Sequence, residues 1–126
     1  MLSDLLPSVH EASTASANEH PIDLVHLART TLGDRSLERE VLHLFDRQAG
    51  VLIARMRTAS PGAIAPLAHT LKGSATGIGA WRVARAAEAL EIAVGAGEAN
   101  VAMALDRLAA ATTEARGVIA DLLKAN

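Results

Sequence analysis

Several residue types that mark particular classes of site are missing or scarce in this sequence. It has no cysteine and no tyrosine, and its aromatic residues are one tryptophan and one phenylalanine. Without cysteine, the chain has no disulfide, no thiolate metal site and no cysteine nucleophile. Two aromatic rings are too few for a surface on which bases stack, and no dense stripe of lysine and arginine is available for phosphate backbones. We therefore expect no nucleic-acid partner.

Long hydrophobic runs are also absent. No segment approaches the roughly 18 consecutive apolar residues that a membrane-spanning helix requires. The first residues, Met-Leu-Ser-Asp-Leu-Leu-Pro, lack the basic start and apolar run of a secretory signal. We expect a cytoplasmic protein that has no membrane-spanning segment and no membrane partner. Its 126 residues are enough for one domain with its own core.

Glycine and proline cluster at short breaks between amphipathic stretches, and this pattern predicts the domain organisation. Residues 1–20 contain three acidic residues and no lysine or arginine, and we interpret them as a flexible tail before a domain at 21–126. No alternating β pattern is present. The sequence predicts an all-α fold, an antiparallel four-helix bundle with a short additional N-terminal helix. The expected helices run from Asp23 to about Leu32, from Asp34 or Ser36 to Thr58, from a start between 62 and 66 to Thr76, from Ala80 to Val94, and from Glu98 to Lys124.

Details of these helices can be predicted from individual residues. Pro66 should lie in the first turn of the third predicted helix or kink that helix. Gly77 and Gly79 should form the break that follows it. Trp81 should anchor the start of the next helix against the bundle. The second helix should bury a stripe at three- and four-residue steps, consisting of Leu37, Val41, Leu44, Phe45, Leu52 and Met56.

One histidine has neighbours that single it out. The apolar residues around it fall on one arc of the predicted helix, and His69 lies roughly 150° from the centre of that arc, so it should face solvent. Lys72, Gly73 and Thr76 share its side, and Lys72 could hold an anion near the ring. Glycine inside a helix costs about 0.5–1 kcal/mol relative to alanine. Gly73 is better explained as clearance for another protein's surface, whereas Ser74 should bond a backbone carbonyl one turn back.

Other polar residues have simpler interpretations. Glu40 and His43 form a Glu-x-x-His step of the kind used in di-iron bundles, but such a site needs a second step and two further glutamates, which Glu88 and Glu91 do not supply. We therefore expect no metal site. Charged helix residues are usually solvated, although four arginines are possible rim contacts for a docked partner: Arg47, Arg55, Arg82 and Arg85.

The segment from Ala68 to Ala75, Ala-His-Thr-Leu-Lys-Gly-Ser-Ala, followed by Gly79-Ala80, resembles the signature of histidine-containing phosphotransfer (HPt) domains. The resemblance implies a helical bundle over about 21–124, in which His69 accepts a phosphoryl group from, or donates it to, an aspartate of a response-regulator receiver domain. Lys72, Gly73 and Thr76 would then form the phosphoryl environment and the docking surface.

The same resemblance implies which components of the reaction other proteins would supply. The receiver would bring Mg²⁺, and a hybrid histidine kinase is a possible further partner, so the chain would be a monomeric phosphoryl carrier without kinase activity of its own. The missing Gly-x-x-x-x-Gly-Lys-[Ser/Thr] loop agrees with that expectation. The alternative is a helical adaptor or docking module in which His69 is never phosphorylated.

Overall fold

The computed structural model describes residues 20–97 and 99–125, and five helices but no strand lie in that part of the chain. This confirms the all-helical class. None of these helices is both long and apolar enough to cross a membrane. The predicted tail at 1–20 lies outside the described residues, apart from its last position. The helices are α1 Leu24–Thr30, α2 Arg35–Thr58, α3 Pro61–Ile78, α4 Trp81–Gly95 and α5 Val101–Lys124.

Aspartates begin the first two helices. Asp23 Oδ1 accepts a hydrogen bond from the amide of His26 at 3.1 Å, and Asp34 Oδ1 accepts one from the amide of Leu37 at 3.1 Å. Each carboxylate thereby satisfies an amide that the start of a helix leaves without a partner. Of the two starts that the sequence allowed for α2, Asp34 rather than Ser36 is the cap.

Helix α3 begins before the predicted range. Ser60 precedes it and Pro61 occupies its first turn, where the missing amide hydrogen of proline removes no helical hydrogen bond. Pro66 consequently lies inside the helix, not in its first turn as one of the two expectations had it. The helix continues for twelve residues beyond Pro66, to Ile78, and so carries His69 within a continuous helical segment.

Gly79 alone ends α3. Gly77 is helical, so the expectation that it takes part in the break is wrong. Gly79 has a φ of 79°, in the left-handed region that favours glycine, and its conformation terminates the helix. A Cβ at this position would lie 2.9 Å from the carbonyl oxygen of Asp23, so the close approach of α1 also requires glycine there.

The last two helices follow the prediction closely. Helix α4 matches its expected bounds within one residue at each end. Helix α5 begins at Val101, three residues after the predicted start at Glu98, which itself lies outside the described residues. Gly97, with a φ of 65°, and residues 99–100 are in turns, so the helix begins later than predicted.

The four long helices contact one another in chain order, and α5 packs back against α2 to close the ring, while α1 packs on α3. Polar contacts join α2 to α5, and three of them occur in reversed order on the two helices, which therefore run in opposite directions. They are Arg39 Nη1 to the carbonyl of Leu123 at 3.1 Å, Arg116 Nε to Asp46 Oδ1 at 2.8 Å, and Arg57 Nη1 to Asp106 Oδ1 at 3.3 Å.

The buried stripe of α2 differs in part from the predicted one. Leu37 and Leu44 are 40% and 51% exposed, whereas Leu42 and Ala49 are buried. Helix α2 contacts α3 on one side and α5 on the other, so its buried positions are those that face one of these two helices. These positions are Leu42, Phe45, Ala49, Leu52 and Met56.

Candidate phosphoryl-accepting site

His69 lies near the middle of α3 and faces outward. Ala68, Leu71 and Ala75 of the same helix are fully buried, and the opposite side carries the histidine, whose side chain is 68% exposed. The helical spacing therefore predicted the direction of the imidazole correctly. An exposed ring on a rigid helix is accessible to a large reactant such as the surface of another protein.

Glu91 of α4 is the immediate partner of His69. Its Oε2 lies 3.1 Å from Nδ1 of the imidazole, within hydrogen-bonding distance. A carboxylate oxygen accepts, so this contact favours the tautomer with hydrogen on Nδ1 and leaves the lone pair on Nε2. No described residue lies within hydrogen-bonding distance of Nε2. The exposed nitrogen is thus the one available to react.

Lys72 contacts the same carboxylate. Its Nζ lies 3.6 Å from Glu91 Oε1, and the lysine side chain is 31% exposed. Glu91 is more enclosed, with 24% of its side chain exposed, and its Oε1 is shielded from solvent without a hydrogen bond from any described residue. The lysine predicted to hold an anion near the imidazole is therefore already placed beside an anionic group of this chain, and Glu91 bridges Lys72 and His69.

Gly73 is exposed and has an ordinary helical conformation. A Cβ built on it would meet no atom within 4 Å outside its own helical surroundings. The packing of the described residues therefore gives no reason for glycine at this position. Its predicted role in clearing space for a partner stays a prediction, and the fold offers no competing explanation.

Thr76 and Ser74 use their hydroxyl groups in different ways. Thr76 is exposed, and its Oγ1 donates to the carbonyl of Lys72 at 2.9 Å, one turn earlier in α3. The prediction that Ser74 bonds a carbonyl of its own helix is wrong, because its Oγ donates to Oε1 of Gln48 in α2 at 2.7 Å. Ser74 lies at the α2/α3 boundary, where a side chain of the neighbouring helix is within reach.

A groove beside His69 runs between α2 and α3. Its volume is about 560 Å³, and Thr70, the residue after His69, lies on its wall. Two of the four predicted rim arginines, Arg47 and Arg55, line it together with apolar side chains. Arg82 instead pairs with Glu114 of α5. The apolar lining residues are Leu44, Val51, Leu52 and Leu67.

His26 occupies a different environment, next to the C-terminal end of α3. Its Nε2 lies 3.0 Å from the carbonyl oxygen of Thr76, and its ring centroid lies 4.8 Å from that of Trp81. Trp81 Nε1 donates to Asp23 Oδ2 at 3.0 Å, so the predicted anchoring of Trp81 is confirmed. The Trp81 hydrogen bond, with the amide of His26, lowers the pKa of Asp23 below its ordinary value of 3.8.

His43 and Glu40 are both exposed on α2. Across residues 20–97 and 99–125, no group of three or more histidine, aspartate or glutamate side chains is arranged so that it could hold a metal ion. A di-iron centre therefore has no counterpart among the described residues.

The comparisons with known proteins address this arrangement. A family model described as the Hpt domain matches residues 37–125, more than half of the chain and all of the site around His69. The chain belongs to the Hpt domain family. Searches among curated proteins and among solved structures gave no significant match. Hpt domains are phosphotransfer carriers, not kinases, and they act in the phosphorelays of two-component signalling.

The sequence analysis rejected Glu91 as a metal ligand and did not predict its contact with His69. A signal was available in the spacing around the α3/α4 turn at Gly79 and Ala80. When two helices are joined by a tight turn, residues equally far from it lie side by side. His69 and Glu91 are each eleven residues from Ala80, which places them at the same level of the two helices, but the contact itself depends on how the helices pack.

Proposed function

We propose that His69 carries a phosphoryl group to or from an aspartate on the receiver domain of a response regulator. The observation that carries this proposal is the state of the imidazole: Nδ1 is occupied by Glu91, while Nε2 faces outward with no partner among the described residues. A lone pair held in that position is suited to attack a phosphoryl group presented by another protein. We further propose that the four long helices form an antiparallel bundle that holds α3 rigid, with α1 as the additional short helix.

The transfer can be written with all atoms and electrons accounted for. The Nε2 lone pair forms a bond to phosphorus while the P–O bond to the receiver aspartate breaks, and that electron pair stays on the departing carboxylate. The reverse step returns the group to an aspartate. Phosphoryl transfer depends mainly on alignment and on stabilisation of charge. We assign the Mg²⁺ and the acidic pocket that provide both to the receiver domain, and no nucleotide chemistry to this chain.

The groove between α2 and α3 supports receiver docking next to His69. Its exposed leucine and valine side chains offer apolar area, and Arg47 and Arg55 offer positive charge at the edge for an acidic partner. A relay complex has to dissociate after each transfer, so we expect a small interface, at or below about 1,200 Å² in total.

The remaining predicted site residues enter the proposal with defined roles. Gly73 would admit the receiver surface one turn from His69, and Lys72 would supply positive charge near the transferred group. Thr76, two turns from His69, would contact the receiver through its exposed side. A hybrid histidine kinase is proposed as a further partner, and the carrier itself as a cytoplasmic monomer.

The proposal is tested by incubating the protein with a phosphorylated receiver domain and Mg²⁺. We expect phosphate that is labile in acid and stable in base, as for phosphohistidine, and we expect His69→Gln to abolish it. His43→Gln and His26→Gln are the matched controls and should still accept phosphate. Label on His43 would contradict the assignment. A folded wild-type protein that binds receivers but never gains phosphate would favour the adaptor instead.

A further inference from the structure

A second groove lies at one end of the bundle, between α1, the first turns of α2 and the last turn of α5. Helix α1 packs mainly on α3, and a space of about 290 Å³ is left on its other side. No residue of α3 or α4 lines this α1/α2/α5 groove, so it is separate from the surface around His69. Five leucines form its apolar walls: Leu24, Leu27, Leu42, Leu122 and Leu123.

The charged residues that line this groove are mainly basic. Arg35 and Arg39 lie on its wall with one acidic residue, Glu38. Arg39 Nη1 donates to the carbonyl oxygen of Leu123 at 3.1 Å, which holds this arginine between α2 and α5. Leu24 of the apolar wall is 52% exposed. An apolar groove with basic residues at its edge fits an apolar segment that carries acidic residues.

The sequence before His20 contains a segment of that composition. Residues 10–19 contain no aliphatic residue larger than alanine, so the large aliphatic residues of this part of the chain all lie in 2–9. Its charged residues are acidic, with no lysine or arginine between 1 and 20. Clustered aliphatic side chains favour burial against another apolar surface. These side chains are Leu2, Leu5, Leu6 and Val9, and Asp4 lies among them.

The described chain begins beside the groove. His20, Ile22 and Val25 line a hollow of about 260 Å³ together with Leu24, and Leu24 also forms part of the wall of the α1/α2/α5 groove. Residues 10–19 connect the aliphatic cluster to His20, and ten residues can span at most about 33–36 Å. Since both partners belong to one chain, their effective concentration is in the millimolar range expected for short connections.

We propose that residues 2–9 bind the α1/α2/α5 groove of the same chain, with their aliphatic side chains against its leucines and Asp4 near its arginines. Residues 2–9 lie outside the described part of the chain, and it is their composition that points to the groove. The proposed contact does not depend on phosphotransfer. It also leaves the groove between α2 and α3 open, so a receiver could bind while the segment is docked.

A spin label tests this docking, because the chain has no cysteine and one introduced cysteine gives a single attachment site. A nitroxide at Ser3→Cys of the full ¹⁵N-labelled chain should strongly broaden the backbone amide signals of Leu24 and Leu123 at the groove. Arg57 and Asp106 contact each other at the opposite end of α2 and α5, and their signals should be broadened little.

Substitutions on both sides of the contact sharpen the test. Burial of a leucine changes a binding equilibrium by about tenfold or more, so Leu5→Ser with Leu6→Ser should weaken docking by about a hundredfold and largely remove the broadening at the groove. Leu24→Ser in the groove wall should also reduce it. Leu44→Ser is the matched control, because Leu44 is 51% exposed, as Leu24 is at 52%, but does not line this groove.

Two results would overturn the proposal: no selective broadening at the groove in the spin-labelled chain with all leucines intact, or equal broadening after Leu5→Ser with Leu6→Ser. The first requires no change in the groove, so it decides the matter even if Leu24→Ser fails to fold. A mixture of spin-labelled chains without ¹⁵N and unlabelled ¹⁵N chains distinguishes the occupants. An unbroadened groove in the mixture supports docking within one chain, whereas broadening would assign the groove to a second copy and contradict the proposal.

Discussion

His69 and His26 both lie against helix α3, and they differ in which ring nitrogen is occupied. In His26, Nε2 contacts the carbonyl oxygen of Thr76 at 3.0 Å and the ring lies against Trp81. In His69, the contact to Glu91 uses Nδ1, and the side chain is 68% exposed. Nε2 of His26 is therefore engaged in a contact within the fold, whereas Nε2 of His69 is available to react.

The surroundings reinforce this difference. Near His26, Asp23 joins three elements: it caps α1, accepts from Trp81 at the start of α4, and donates its amide to the carbonyl of Gly79 at 2.9 Å. Near His69, Gly73 contributes no side chain at all. We infer that the same residue type is structural where side chains surround it and available for chemistry where one face is left open.

The largest expected effect comes from placing a large side chain at Gly73, on the exposed surface beside His69. Gly73→Leu should reduce transfer from a phosphorylated receiver by about tenfold or more, equivalent to at least about 1.4 kcal/mol of lost docking energy. The helix itself should become slightly more stable, because leucine is a better helix former than glycine. Transfer kinetics and thermal unfolding, measured together, separate the two effects.

Gly77→Leu is the control for that experiment. Gly77 is also helical and exposed, and a Cβ there would meet no described atom within 4 Å. It lies about 80° around the helix from His69, whereas Gly73 and Thr76 lie within about 40° of it. It should gain the same helix propensity while leaving transfer nearly unchanged. Unaltered transfer in Gly73→Leu would show that close approach at this position is unnecessary.

A second experiment removes the contacts that Asp23 makes near His26. Asp23→Ala removes the cap of α1 and the acceptor of Trp81, and we expect it to lower the free energy of unfolding by about 1–3 kcal/mol. Asp34→Ala removes only a helix cap and should cost less, about 1 kcal/mol. Denaturant unfolding of both variants measures the difference. Equal losses would contradict the role of Asp23 in joining α1 to α4.

The pH dependence of Asp23 follows from its lowered pKa. Hydrogen bonds from Trp81 and the amide of His26 favour the ionised carboxylate in the folded protein. Its contribution to stability is therefore complete well above the ordinary pKa of 3.8 and is lost as the pH falls through the lower pKa of the folded state. The stability difference between wild type and Asp23→Ala should accordingly shrink below about pH 3.8.

The smallest expected effect concerns Lys72. It is a partly exposed partner in an ion pair, and surface pairs are worth about 0.2–1 kcal/mol, so Lys72→Ala should slow transfer by at most about fivefold. The lifetime of the phosphohistidine should shorten in proportion. Lys124→Ala, at the end of α5, is the matched control. If both the rate and the lifetime stay at wild-type values, Lys72 has no role at the site.

Much of this molecule could be predicted from periodicity and capping. The positions of the helices, the cap at Asp23 and the outward direction of His69 all depend on residues within a few positions of each other. Some helix ends differed from the prediction, and two further errors occurred where a second helix decides the outcome. Leu44 fits the apolar period of α2 yet is exposed, and Ser74 donates to Gln48 of α2 instead of to its own helix.

The sequence by itself determined the local features of the site: an exposed histidine on a continuous helix, a lysine and a glycine on the same side, and a motif typical of phosphotransfer domains. Only the tertiary structure decided which nitrogen of that histidine is available, because this depends on a carboxylate twenty-two residues away on α4. Helical spacing fixes the direction of a side chain along its own helix. Hydrogen bonds across the bundle depend on how neighbouring helices align, and packing sets that alignment.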